Sequence, residues 1–279
     1  FSKRDCFPSG FPQNVLMKRL LLFALALSFG ANLFAADDEK PEAPPRLRIL
    51  CYNIHYGQGM DGVYDVKRLA EVIQKFDPDL VALQEIDVGV ERSGRVHQIR
   101  ELGKFTKMAS RYGPTQHYQG GLYGNGVLSK LPILDVAIHP LPYTEATPEK
   151  TTYPRGCIAV TVEMPNGKPL RFISTHFQHN VEEDRVAEAK AINQLFGDDA
   201  KNIPTILAGD MNAVPDAEPI QVLTKKWTIA TVGPLDPTAP SVNPRSRIDY
   251  IFYSPAAHFT PVEAGVIEEE MASDHRPVF

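Results

Sequence analysis

The chain of 279 residues reads as an α/β protein, two mixed β-sheets packed as a sandwich with helices on the outer faces, in four layers α/β/β/α. Three observations predict this. Apolar runs such as Ile206-Leu207-Ala208, stopped by Gly209, have the pattern of strands covered on both faces. Helical patterns alternate with hairpin patterns, which makes the sheets mixed rather than purely parallel. Several hairpins follow one another with no helix between them, which suits two stacked sheets better than one sheet covered by helices on both faces. With 43% hydrophobic and 23% charged residues and no break in composition, one large domain accounts for the chain.

In chain order, residues 1–16 lie upstream of Met17 and are expected to stand outside the fold. Met17-Lys18-Arg19, the apolar run Leu20 to Phe29 and the small residues Ala31, Ala35 and Ala36 make a signal peptide over 17–35. Export to the periplasm or beyond, with cleavage near Ala35 or Ala36, is the expectation. The apolar run is shorter than the roughly 20 residues of a membrane span, so no stable anchor is expected. Losing this leader removes Lys3, Arg4, Lys18 and Arg19 but only one acid, Asp5, which moves the formal charge from −5 to −8. So acidic a protein is poorly suited to gripping long nucleic acid without sequence preference. Residues 36–45, acidic and Pro-rich, read as a linker into a single catalytic domain over 46–279.

Leu47–Asn53 is the first strand. Val66–Phe76 has Leu69, Val72, Ile73 and Phe76 at helical spacing, with Asp65 as N-cap and Asp77-Pro78 as the stop. Leu80–Leu83 is a buried strand ending at Gln84-Glu85. His97–Arg111 reads as a helix, and Leu122–Leu128 with Ile133–His139 as a pair of strands around Lys130-Leu131-Pro132. Pro140–Pro154, rich in Pro and Thr, reads as a surface loop. Cys157–Val162 and Leu170–Thr175 flank Pro165-Asn166-Gly167-Lys168, a hairpin signal. Glu182–Phe196 and Glu218–Trp227 read as helices. Ile248–Tyr253, Val262–Val266 and Arg276–Phe279 read as the last strands. Cys51 and Cys157, both in apolar strand-like runs, are expected as buried free thiols.

Polar residues stand at the ends of these apolar strands: Asn53, Glu85, Asn125, His176, Asp210, Asn212, Asp249, Asp274 and His275. Asp and Asn also form turns, so one case alone means little. Gathered together, the acids would repel one another unless a cation held them. An oxygen-rich set with open positions suits Mg²⁺ or Mn²⁺. Zinc fits less well, because neither cysteine of the domain lies near a histidine at ligand spacing, and calcium also takes such oxygen sets.

Five motifs occur in order: Leu80-Val81-Ala82-Leu83-Gln84-Glu85, Ser174-Thr175-His176, Gly209-Asp210-Met211-Asn212, Arg247-Ile248-Asp249-Tyr250 and Ser273-Asp274-His275-Arg276-Pro277. In this order the chain, from Arg46 onward, resembles the endonuclease/exonuclease/phosphatase superfamily. The resemblance implies a two-sheet sandwich and metal-dependent cleavage of phosphoesters. It implies Glu85 as principal metal ligand, with Asn53 close to metal and phosphate and Asp274 helping to hold the ion. Asp210 would orient and deprotonate the attacking water, Asn212 would hold that water and the phosphate, and His176 would donate to a phosphate oxygen. Asp249 and His275 correspond to an acid–imidazole pair. Asn125 supports the site by hydrogen bonding, Arg155 lies on the phosphate side, and Arg92, with Arg95, belongs to a substrate-side loop.

The expected activity is that of an exported, monomeric, divalent-metal-dependent phosphodiesterase acting on a small phosphodiester or a phospholipid head group. A nuclease shares the same metal site and is the alternative within the enzyme class. A phosphate-binding module without catalysis is the alternative from another class, disfavoured because Glu85, Asp210 and His275 are all present.

Overall fold

The computed structural model describes residues 45–279. The upstream segment, the signal peptide and all but the end of the linker fall outside the described residues.

Strand β1 (Ile49–Asn53) runs parallel to β2 (Leu80–Val88), and helix α1 (Val66–Phe76) makes the crossover between them. The Asp65 carboxylate accepts the Arg68 N–H at 3.0 Å, and the helix stops at Asp77, left-handed at φ 57, before Pro78. Helix α2 (Gln98–Thr106) leads into β3 (Ala109–Tyr118), which pairs with β4 (Gly121–Ser129). The order in this first sheet is β1-β2-β4-β3.

The second sheet has the order β5-β6-β7-β8-β10-β9. Its strands are β5 (Ile133–Leu141), β6 (Arg155–Glu163), β7 (Pro169–His176), β8 (Thr205–Asp210), β9 (Thr228–Ile229) and β10 (Asp249–Ser254). Between β7 and β8, which are parallel, α3 (Glu182–Ile192) makes the crossover; α4 (Glu218–Leu223) follows β8.

Three apolar cores separate four layers. Leu50, Leu69, Ile73 and Leu102 lie between the first sheet and α1 with α2. Leu80, Val127, Ile158 and Phe172 fill the space between the sheets. Ile173, Ile192, Leu207 and Leu223 lie between the second sheet and α3 with α4. Polar links also cross between sheets: Gln84 Nε2 donates to Ser174 Oγ at 3.1 Å, and Asn125 Nδ2 donates to the Gly156 carbonyl at 2.9 Å. Cys51 and Cys157 are buried free thiols.

The structure departs from the sequence reading in four places. The helix expected to continue to Arg111 ends at Thr106, and 109–118 is a strand. Gly113 and Pro114 hide it, because both are strand breakers in isolation. Here Pro114 borders a register shift, where the ladder is irregular, and Gly113 lets the other sheet approach: a Cβ there would lie 2.8 Å from Ile158 Cβ. Leu122–Leu128 and Ile133–His139 do not pair; the turn at Lys130–Pro132 carries the chain from one sheet to the other. Helix α4 stops earlier than expected, at Leu223, whereas α3 continues as a π-helical turn over Asn193–Gly197, so the helix expected to Phe196 is present. Val262–Val266 and Arg276–Phe279 reduce to single bridges, Cys51 to Val278 and Val266 to Val278. Pro277 has no N–H to give to a longer ladder, and the Arg276 N–H goes instead to the Thr238 carbonyl.

Candidate active site

Strand ends from both sheets meet in one place. Asn53 closes β1, and its amide Nδ2 bridges Glu85 Oε1 at 3.2 Å and Asp210 Oδ2 at 3.0 Å. Glu85 reaches this point because β2 is irregular between Leu83 and Ile86; its backbone is left-handed at φ 60. Ser273 Oγ donates to the Asn53 carbonyl at 2.7 Å and ties the Ser273-Asp274-His275 segment to the same strand end. Asp274 is half-exposed beside His55, 3.7 Å from Oδ2 to Nε2.

Asp210 ends β8 fully buried. Burial first, then the nearby charge of Asp249, pushes its carboxyl up to about 7, opposed by His275 and by hydrogen bonds from Asn212 N and Asn53 Nδ2. The Asn212 N–H bonds Asp210 Oδ1 at 2.8 Å, an arrangement that requires the left-handed φ of 47 at Asn212. His275 Nδ1 donates to Asp249 Oδ2 at 2.9 Å, and Thr238 Oγ1 donates to the same oxygen at 2.6 Å. Burial works against charge on His275, but Asp249, Asp210 and Asp274 together outweigh it and hold the imidazole well above its usual range. Its Nε2 lies 3.9 Å from Asp210 Oδ2.

His176 ends β7 with the opposite electrostatics. Burial, and then the positive Arg155, push its pKa well below the usual value. Arg155 Nη1 lies 3.3 Å from His176 Nδ1. A guanidinium only donates, so Nδ1 accepts and the ring proton sits on Nε2, 3.4 Å from Asp210 Oδ2. Asn212 Nδ2 donates to the Phe177 carbonyl at 3.0 Å and lies 3.0 Å from that Nε2, so its second amide hydrogen and the ring proton stand side by side as two donors.

A cleft of about 340 Å³ opens over these groups, and its lining includes Glu85, Arg155, His176, Asp210, Asn212 and His275. Arg92 lines it as well; Arg95 pairs with Glu91 at 3.6 Å and does not. Asn125 stands behind the cleft, its amide committed to Gly156. Thr238, Gln116, Tyr118, Tyr123 and Tyr153 were not singled out from the sequence. Thr238 meets Asp249 from a Pro-rich loop with no periodicity. The other four line the cleft, and two of them had a sequence neighbour that could have pointed to them: Tyr153, two residues before Arg155, and Tyr123, two residues before Asn125.

Among the described residues, Asp210, Asp249 and His275 form the one group of three whose ligand atoms cluster tightly enough for an ion. Two of them are already bonded to each other at 2.9 Å, so the group works as an acid–imidazole pair facing a carboxylate. The Glu85 carboxylate, beside the Asn53 amide that also reaches Asp210, is the better donor for a hard cation. Burial and the neighbouring Asp249 together raise the Asp210 carboxyl, and a divalent ion nearby would relieve the second of these.

No curated protein matches the chain. Among solved structures it is similar to the Bacteroides thetaiotaomicron mannosyl-6-phosphatase, at 22% identity and TM-score 0.68, covering 84% of this chain and 98% of that one. An endonuclease/exonuclease/phosphatase protein from Beutenbergia cavernae aligns at 24% identity and TM-score 0.65, covering 83% and 70%. The human Nocturnin catalytic domain, solved with bound sulfate, aligns at 19% identity and TM-score 0.61, covering 83% and 92%. These likenesses show a shared fold. Residues 50–275 match the Endonuclease/Exonuclease/phosphatase family, and the chain therefore belongs to that family, whose members are generally hydrolases of phosphoester bonds.

Proposed function

We propose that the protein is an exported, divalent-metal-dependent phosphodiesterase that cleaves a small phosphoester by in-line attack of water on phosphorus. The observation that carries this reading is the buried Asp210 carboxylate, set 3.4 Å from His176 Nε2 and 3.9 Å from His275 Nε2. Such a carboxylate is placed to take a proton from water, and the Asn212 N–H and Asn53 amide fix its two oxygens. The His176 Nε2–H and the Asn212 amide converge where one acceptor oxygen would satisfy both, as a phosphate oxygen does. Arg155 forms no ion pair among the described residues, so its charge is available to the phosphate. His275, kept cationic by Asp249, presents a donor to charge developing on the substrate. Glu85, Asn53 and Asp274 would hold Mg²⁺ or Mn²⁺, which when bound neutralises charge on the phosphoryl oxygens.

The diester reading is supported by lining side chains beyond the acids and histidines of the reaction: Tyr153 and His179 beside Arg155, and Arg92 with Tyr118. The test is hydrolysis of bis-p-nitrophenyl phosphate beside p-nitrophenyl phosphate, with Mg²⁺, Mn²⁺ or EDTA, in wild type, Glu85→Ala and His275→Ala. Metal-dependent turnover of the diester, collapsing in both variants, is expected. The rate should rise as Asp210 loses its proton, at a pH below the value of about 7 that holds without the ion because the ion's charge draws the carboxyl down, and fall again only well above the usual histidine range, where His275 loses its charge. Equal activity in wild type and variants would place the chemistry elsewhere.

A further inference from the structure

We infer that Arg92, with Gln116 and Tyr118, forms a subsite for an uncharged, hydroxyl-bearing substituent of the substrate, such as a sugar or polyol, and not for a second phosphate.

Two arginines line the cleft, and their surroundings differ. Arg155 donates to a neutral histidine and keeps its full positive charge. Arg92 spends Nε and Nη2 on Asp87, at 2.9 and 3.0 Å, and the Asp87 side chain is fully buried. The pair is neutral as a unit, so it offers a second anion little net attraction. A fork so occupied keeps both hydrogens of Nη1 and one of Nη2 to give. What the subsite presents is a rigid donor without net charge.

The rigidity is built in. The guanidinium lies 3.6 Å from the Tyr56 ring centroid and 4.6 Å from that of Tyr118. Gln98 fixes this assembly from beneath: its Oε1 accepts the Asp87 N–H at 2.9 Å and its Nε2 donates to the Tyr56 carbonyl at 2.6 Å. Tyr56 is held at φ 43, in the left-handed region. Such support suits a group whose direction matters, as for hydrogen bonds to hydroxyl oxygens. Gln116 shares the cleft, and among the described residues its side-chain amide has no hydrogen-bond partner, which leaves it to donate and accept; Tyr118 adds a ring face and a hydroxyl.

The inference rests on the phosphoesterase reading, and the experiment separates the two. Steady-state kinetics would be measured with bis-p-nitrophenyl phosphate, with p-nitrophenyl phosphodiesters of glycerol and of a hexose, and with the same hexose diester carrying a second phosphate (the bisphosphate). The proteins are wild type, Gln116→Ala, Arg92→Met, and Arg92→Met combined with Asp87→Asn, which avoids stranding a buried charge. Wild type should prefer the hexose diester to the bisphosphate. Each variant should lose several-fold to about tenfold in kcat/KM on polyol esters, mainly through KM, as expected for a lost hydrogen bond. The loss on the aryl diester, whose rings carry no hydroxyl groups, should be smaller. Preference for the bisphosphate, or equal losses on aryl and polyol esters in all three variants, would overturn the subsite and leave the hydrolase standing. No turnover of any ester by folded, metal-loaded wild type would overturn both.

Discussion

Glu85 and Asn212 hold left-handed backbones, at φ 60 and 47, although neither is glycine. At Asn212 the cost is modest, because a short amide tolerates this conformation. Glu85 has no such relief, so it stores strain at the point where its carboxylate must leave the strand and face Asp210. A glycine there would relax the backbone, whereas an alanine would keep the penalty. Glu85→Gly is therefore expected to be more stable than Glu85→Ala by about 1 kcal/mol in metal-free denaturant titrations, with both variants inactive. Equal stability would mean that the backbone, and not the side chain, sets this conformation at no cost.

At the scale of single elements, α3 carries a buried acid that the chemistry does not use. Glu188 Oε2 accepts the Gln178 N–H at 2.9 Å, and Gln178 Nε2 donates to the Tyr153 carbonyl at 3.1 Å, so the helix props up one wall of the cleft. Burial pushes the Glu188 carboxyl up to about 8 from 4.5, against the lowering effects of that N–H and of Arg155. A raised carboxyl stabilises the fold below about 4.5, and this contribution is lost as pH rises through about 8. Glu188→Gln keeps an acceptor for the N–H and removes the titration. Thermal melts at pH 5 and pH 9 should show nearly equal midpoints at the lower pH and the variant several degrees higher at the upper. Parallel curves would remove Glu188 from the pH response. The same scale explains what could be read from sequence. β1, β2, β7, β8 and β10 announce themselves because an apolar run gives way to a polar residue where the strand reaches the site. β3 does not, since Gly113 and Pro114 make sense only once the other sheet lies against them. The neutralisation of Arg92 by Asp87 and the Thr238–Asp249 contact are side-chain meetings that no strand or helix period encodes.

For the whole molecule, the site is a joint between two sheets. Asn53 and Glu85 come from the first and His176, Asp210 and Asp249 from the second, with Asn53 Nδ2 to Asp210 Oδ2 at 3.0 Å the direct link between them. Below that joint the sheets meet through an apolar core; at it, they meet through acids whose mutual repulsion is only partly offset. A divalent ion held by Glu85 and Asn53, beside the Asp210 carboxylate, would turn this weak edge into a clasp. Ligand at about 100 times Kd stabilises a fold by about 2.7 kcal/mol, so Mn²⁺ should raise the melting temperature of wild type, and EDTA should reverse the gain. Glu85→Ala should lose most of it. Hydrogen exchange would locate the effect: added Mn²⁺ should slow exchange together at Ile54, Ile86 and Met211, the residues following Asn53, Glu85 and Asp210. Protection confined to Met211 would mean that the ion sits on the second sheet alone. The acid–imidazole cluster of Asp210, Asp249 and His275 would then be the metal ligand set, and Glu85 would need another role.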